Sequence, residues 1–118
     1  MTTEELRDKI CEILDENKGV NIKIIDFENE SSVADYFVIC TATGAPHLKA
    51  LAENLDEKLD KEFDTRPIHT EGMRGSKWAL LDYGSVIVHI FEENTRMYYS
   101  IETLWGNGKN VIDYEAKK

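Results

Sequence analysis

The stretch WALLDYGSVIVHIF, residues 78–91, decides the fold. Two apolar runs flank Asp82-Tyr83-Gly84-Ser85, so it reads as a β-hairpin: Gly84 supplies a positive φ, Asp82 opens the turn, and β-branched and aromatic residues suit a pleated surface. With Tyr83-Gly84 as the loop, alternation puts Ala79, Leu81, Val86, Val88 and Ile90 on one wholly apolar face. The other face carries Trp78, Leu80, Asp82, Ser85, Ile87, His89 and Phe91. That set is polar for a core and aromatic for plain solvent, so the first face is expected to hold the protein together and the second to meet a partner. A register shifted by one residue would bring Asp82 beside Leu80, Val86 and Val88, which disfavours it.

Upstream, Thr2 and Glu5 form a capping-box pattern, and Leu6, Ile10, Ile13 and Leu14 follow at helical spacing up to about Gly19. Residues 20–27 read as a strand closed by the polar break 28–32. Residues 34–41, ADYFVICT, run apolar without alternation after Asp35, as expected of a central strand covered on both sides. Pro46 sits in the first turn of a second helix whose Leu48, Leu51, Leu55 and Leu59 stripe extends to about Lys61. Residues 63–76 are irregular, with a short strand around 68–71. After the hairpin, Asn94 is an N-cap for a third helix carrying Met97, Ile101 and Leu104, ended by Gly106-Asn107-Gly108. Val111, Ile112 and Tyr114 are expected to lie back on the body, and the polar end to fray. Helices alternating with strands, then a hairpin, imply an α/β fold bordering on α+β: a mixed β-sheet with packed helices.

The 118 residues suit one core, so a single domain over 1–118 is expected. No apolar run approaches the ~20 residues of a membrane helix, and the acidic start lacks a signal-peptide pattern, which points to the cytoplasm. Cys11 and Cys40 lie in apolar patterns without metal or redox spacing, and read as reduced core residues. The net charge of −9 disfavours direct nucleic-acid readout and suits a basic protein partner.

A nucleotidyltransferase needs paired carboxylates on a strand beside a phosphate-approaching Gly-Ser. Gly75-Ser76 and Gly84-Ser85 occur, yet neither is followed by such a pair, and both read as turns. Phosphate loops, nucleophile elbows and His-Glu-x-x-His are missing from the sequence. His47, His69 and His89 share no short ligand spacing. No catalytic residue, metal site or cofactor is therefore expected, and His89 reads as part of a flat polar contact surface.

ADYFVICT at 34–41, Glu71-Gly72, the hairpin, and RMYYSIETLW at 96–105 together resemble the ribosomal silencing factor family, also called Iojap-like. Four separated blocks in family order carry the resemblance, from the first helix to Trp105. It implies a fold similar to a nucleotidyltransferase core without known transferase activity. It also implies a translational repressor that binds a basic protein on the intersubunit face of the large ribosomal subunit, number fourteen of the universal naming, and sterically blocks joining of the small subunit. Two alternatives stand beside it: a nucleotidyltransferase-like or nucleotide-binding enzyme, and a large-subunit assembly factor.

Carried over by motif, the partner-binding positions are Trp78, Leu80, Asp82 and His89, followed by Glu71, Arg96, Tyr98, Tyr99, Glu102 and Trp105. Each has a structural alternative: the two tryptophans as core aromatics, Arg96 and Glu102 as an intramolecular surface pair. Tyr98 and Tyr99 cannot both face inward on one helix. The chain departs from the family pattern at Gly44-Ala45-Pro46 and at Ser85. The apolar tail and the mixed hairpin face, together with the resemblance, imply a homodimer.

Overall fold

Helix α1 (Thr3–Glu16) starts on the capping box: the Thr2 hydroxyl accepts the Glu5 N–H at 3.1 Å, and the Glu5 carboxylate accepts the Thr2 N–H at 3.4 Å. Its apolar stripe Leu6, Ile10, Cys11, Ile13 and Leu14 is buried. The computed structural model describes residues 1–28, 33–73, 77–93 and 111–114. After α1 come β1 (Val20–Asp26), β2 (Tyr36–Ala42), α2 (Ala45–Phe63), β3 (His69–Glu71), β4 (Trp78–Asp82), β5 (Val86–Glu92) and β6 (Val111–Asp113). The strands form one sheet in the order β3-β4-β5-β2-β1-β6. Among the described strands, only the β2–β5 pair at the centre is parallel. Parallel neighbours need a crossover, and α2 lies within it.

Helix α2 lacks a side-chain cap from Gly44. His47 in its first turn instead anchors the entry to the helix: its Nδ1 accepts the Thr43 N–H at 3.0 Å, and its Nε2–H donates to the Asn17 carbonyl at 3.0 Å. Asn54 donates to the Asn17 side chain at 2.9 Å and Lys58 reaches Glu16 at 2.9 Å, so polar contacts tie the end of α1 to α2.

Both helices cover one face of the sheet. Their apolar residues pack on Ile22, Ile24, Val38, Cys40, Ala42, Ala79, Leu81, Val86, Val88 and Ile90. The five hairpin residues expected to share an apolar face do so. The turn itself differs from the expected two-residue loop: Asp82 pairs with Ile87 rather than with Ser85, so four residues, 83–86, separate the last paired positions. Tyr83 N–H donates to the Val86 carbonyl at 2.9 Å inside that turn. The ladder is displaced by two residues, and an even displacement leaves each side chain on its face. The longer connection lets Tyr83 fold down onto the helix-side core, where it is buried.

The opposite face departs further from expectation. Ile87, His89 and Phe91 are buried there with Ile25, Phe27, Ala34, Phe37 and Ile39, so much of the face read as too polar for a core is a second core. Asp82 and His89 each make an internal hydrogen bond, to the Gly84 N–H and from the Trp78 indole, which offsets part of the cost of burying polar groups there. The tail residues 111–113 do more than lie back on the body. They form the edge strand β6 antiparallel to β1, and Tyr114 N–H donates to the Ile22 carbonyl at 2.9 Å. The third helix expected from Asn94 lies outside the described residues, as does Gly75-Ser76.

Candidate partner-binding face

The register of the sheet brings together five of the positions singled out from sequence. Glu71, Leu80, His89 and Ile39 are successive partners in one row across β3, β4, β5 and β2. His69, Asp82, Ile87 and Phe37 form the next row, and Trp78 pairs with Phe91. Paired residues share a face, so Glu71, Trp78, Leu80, Asp82 and His89 all lie on the face away from the helices. Arg96, Tyr98, Tyr99, Glu102 and Trp105 fall outside the described residues.

These five positions differ in access. Glu71 is exposed and lies 3.3 Å from His69 Nε2, while Trp78, Leu80 and Asp82 are half-buried. Trp78 and Leu80 form the partly covered margin of the second core. Asp82 is occupied locally, since its carboxylate accepts the Gly84 N–H at 2.7 Å. Gly84 has φ +88°, in the left-handed region that glycine enters without strain, which is why a glycine occupies this turn position.

His89 lies behind the margin, not on it, at 5% exposure. Its ring sits 4.6 Å from Phe37 and 6.2 Å from Phe91, and Trp78 stacks on Phe91 at 5.0 Å and 25°. Trp78 Nε1–H donates to His89 Nδ1 at 3.2 Å. An accepting Nδ1 places the proton on Nε2, so the imidazole is neutral. Burial also drives it that way, lowering the pKa from 6.5 to about 4. Its Nε2 is buried without a hydrogen-bond partner among the described residues. Sequence reasoning placed His89 on this face but missed its depth. The signal was available in the flanking Ile87 and Phe91, which share its face and are more apolar than a contact surface requires.

Other concavities offer weaker chemistry. An open groove of about 480 Å³ between the end of α1 and α2 is lined by Glu16, Asn17, Asn54, Glu57, Lys58, Lys61 and Glu62, where charges of both signs already meet. A smaller recess of about 190 Å³ collects Glu4, Asp26, Glu28 and Asp35 beside Tyr36. Among the described residues, no three His, Cys, Asp or Glu side chains are grouped to hold a metal ion, and no helix is long and apolar enough to cross a membrane. Burial pushes the Cys11 thiol up to about 12, which leaves it protonated and a poor nucleophile. An aromatic and aliphatic margin flanked by carboxylates is suited to recognising a protein surface.

The family model described as "ribosomal silencing factor during starvation" matches residues 1–118. This chain belongs to the ribosomal silencing factor family. A ribosomal silencing factor of Halalkalibacterium halodurans is 31% identical over 111 residues, covering 94% of each chain. A mouse protein named for mitochondrial assembly of the ribosomal large subunit is 31% identical over 101 residues, which span 83% of this chain and 44% of the mouse protein. A crystal structure from Chromobacterium violaceum superposes with a TM-score of 0.84 at 33% identity, covering 90% of this chain and 88% of the other. Its agreement with this silencing-factor chain extends the match from sequence to the mixed sheet and its helices.

Proposed function

We propose that this protein represses translation by occlusion: it docks on a basic protein of the large ribosomal subunit, number fourteen of the universal naming, and blocks the small subunit from joining. The observation that carries this reading is the gathering of Trp78, Leu80, Asp82 and Glu71 on one face of a family member with net charge −9. Aromatic anchors concentrate interface energy, and carboxylates around them select a cationic partner. The reading makes the chain a cytoplasmic homodimer of single-domain protomers without catalytic activity. Light scattering across a broad concentration range tests the dimer. Pull-down of purified large subunits, followed by a subunit-joining assay, tests the function. Retained binding with undiminished joining would reject occlusion.

Assembly of the large subunit is the second reading, favoured by the name of the mouse relative. The same face would serve it. Loss of the protein would then leave large subunits incomplete even in cells that are growing without restriction. The enzyme alternative predicts saturable nucleotide binding with magnesium, measured by equilibrium titration.

A further inference from the structure

We propose that His89 is a positioning residue whose neutral imidazole fixes the indole of Trp78 for the partner. The proposal rests on the reading of Trp78 as an anchor given above. A half-buried indole has two ring orientations, related by a flip about χ2, that fill similar space and point Nε1–H in different directions. The 3.2 Å bond to His89 Nδ1 selects one of them. Trp78 is opposite Phe91 in the ladder and diagonal to His89, so the indole stacks on Phe91 at 5.0 Å while its N–H reaches His89 Nδ1.

His89 is well held for this task. Leu80 faces it on β4, Ile39 on β2, and Phe37 packs at 4.6 Å, so the imidazole is wedged within the second core. It also carries a cost that packing alone does not explain. With Nδ1 accepting, Nε2–H is a buried donor with no acceptor among the described residues, and an unmet donor destabilises a fold. A phenylalanine would fill the ring's place without that penalty. What phenylalanine lacks is an acceptor at the Nδ1 position, which is the feature in contact with Trp78.

The test uses His89→Phe, which keeps a ring and removes the acceptor, and His89→Asn, whose Oδ1 falls near the lost Nδ1. His89→Gln adds a polar variant that leaves the Nδ1 position empty. The free protein is read by the NMR resonance and exchange rate of the Trp78 indole N–H; the complex is read by affinity for purified large ribosomal subunits. Expected are faster indole exchange and about a tenfold weaker affinity for His89→Phe and His89→Gln, with substantial recovery of both in His89→Asn. The double variant Trp78→Ala, His89→Phe should bind no more weakly than Trp78→Ala alone, since His89 acts through the indole. If Trp78→Ala binds weakly while His89→Phe binds like the wild type, the positioning role is overturned and the anchor stands. If Trp78→Ala itself binds like the wild type, the anchor reading falls, and positioning for the partner falls with it.

Discussion

The carboxylate of Asp82 accepts the backbone N–H of Gly84 at 2.7 Å, so the charge expected to face a partner also builds its own turn. Reversing it to lysine would therefore confound two effects. Asp82→Asn separates them, because the amide oxygen keeps the turn acceptor while the charge is lost. We expect Asp82→Asn to melt near the wild type and bind large subunits more weakly, and Asp82→Ala to lose about 1 kcal/mol of stability as well. Thermal melts beside subunit binding check both, and an Asp82→Asn variant with full affinity would confine Asp82 to the turn.

Trp78 and Leu81 lie three residues apart on opposite faces of β4. Leu81→Ala hollows the fully buried helix-side core and should cost about 2–5 kcal/mol in stability. Trp78→Ala removes the indole's stacking on Phe91 and the donor to His89 Nδ1, so it should cost about 1–3 kcal/mol, where a residue off the apolar face would be expected to cost little. Binding distinguishes the two. At a temperature where both variants remain folded, Trp78→Ala should lose about 2 kcal/mol or more of affinity and Leu81→Ala nearly none. Loss of subunit binding by a folded Leu81→Ala would reverse the assignment of the faces.

How far the sequence reaches is visible at these same residues. Alternation identified the face of Leu81, Val86, Val88 and Ile90, since period two survives an even error in register. The turn was harder, because Tyr83-Gly84 fits a two-residue loop locally and only the burial of Tyr83 in the helix-side core favours the longer connection. The depth of His89 was hidden for a related reason. A histidine's burial depends on what its neighbours on β2 and β4 provide, and those neighbours are 50 and 9 positions away in the chain, at Ile39 and Leu80. The edge position of residues 111–113 was likewise a matter of long-range pairing. Three residues carry too little periodicity to announce a strand.

Gly19 is fixed by sterics. A Cβ there would stand 2.5 Å from Cys40 Sγ and 2.9 Å from the Leu14 carbonyl oxygen. Gly19→Ala should therefore destabilise by about 1–3 kcal/mol through overpacking where α1 meets the sheet. Adding Cys40→Ala removes the sulfur and should recover part of that loss, giving a favourable coupling in a double-mutant cycle. Chemical denaturation of the four proteins measures it. Strict additivity would place the strain at Leu14 instead.

Binding to large subunits should weaken as salt is added, mainly through the association rate. A chain of net charge −9 attracts a basic surface over the ~8–10 Å that ions leave unscreened near physiological strength. Stopped-flow association at several ionic strengths reads the slope, and a flat profile would remove charge attraction from the docking model.

Acid should reveal His89 in the stability of the free protein. Its folded pKa is lowered to about 4 from 6.5 by burial, the cause that acts on it, and its hydrogen bond from Trp78 uses Nδ1 as an acceptor. Above pH ~6.5 both folded and unfolded chains hold the ring neutral, and its burial has no pH-dependent cost. As pH falls from about 6.5 toward 4 the unfolded chain takes up a proton that the folded chain refuses, so stability drops, by about 3 kcal/mol in total from this group. Below pH 4 the folded chain also takes the proton, the slope from His89 vanishes, and the Trp78 bond loses its acceptor. Carboxylates titrate in the lower part of this window as well, which is why the comparison must be with His89→Phe. Denaturant unfolding at pH 7, 6, 5 and 4.5 should show the wild type losing stability more steeply than the variant, with the difference already open at pH 6 to 5, where most carboxylates are still ionised. Parallel curves for the two proteins would mean that His89 gains a proton in the folded state as readily as in the unfolded one, and that the imidazole is not held neutral against Trp78.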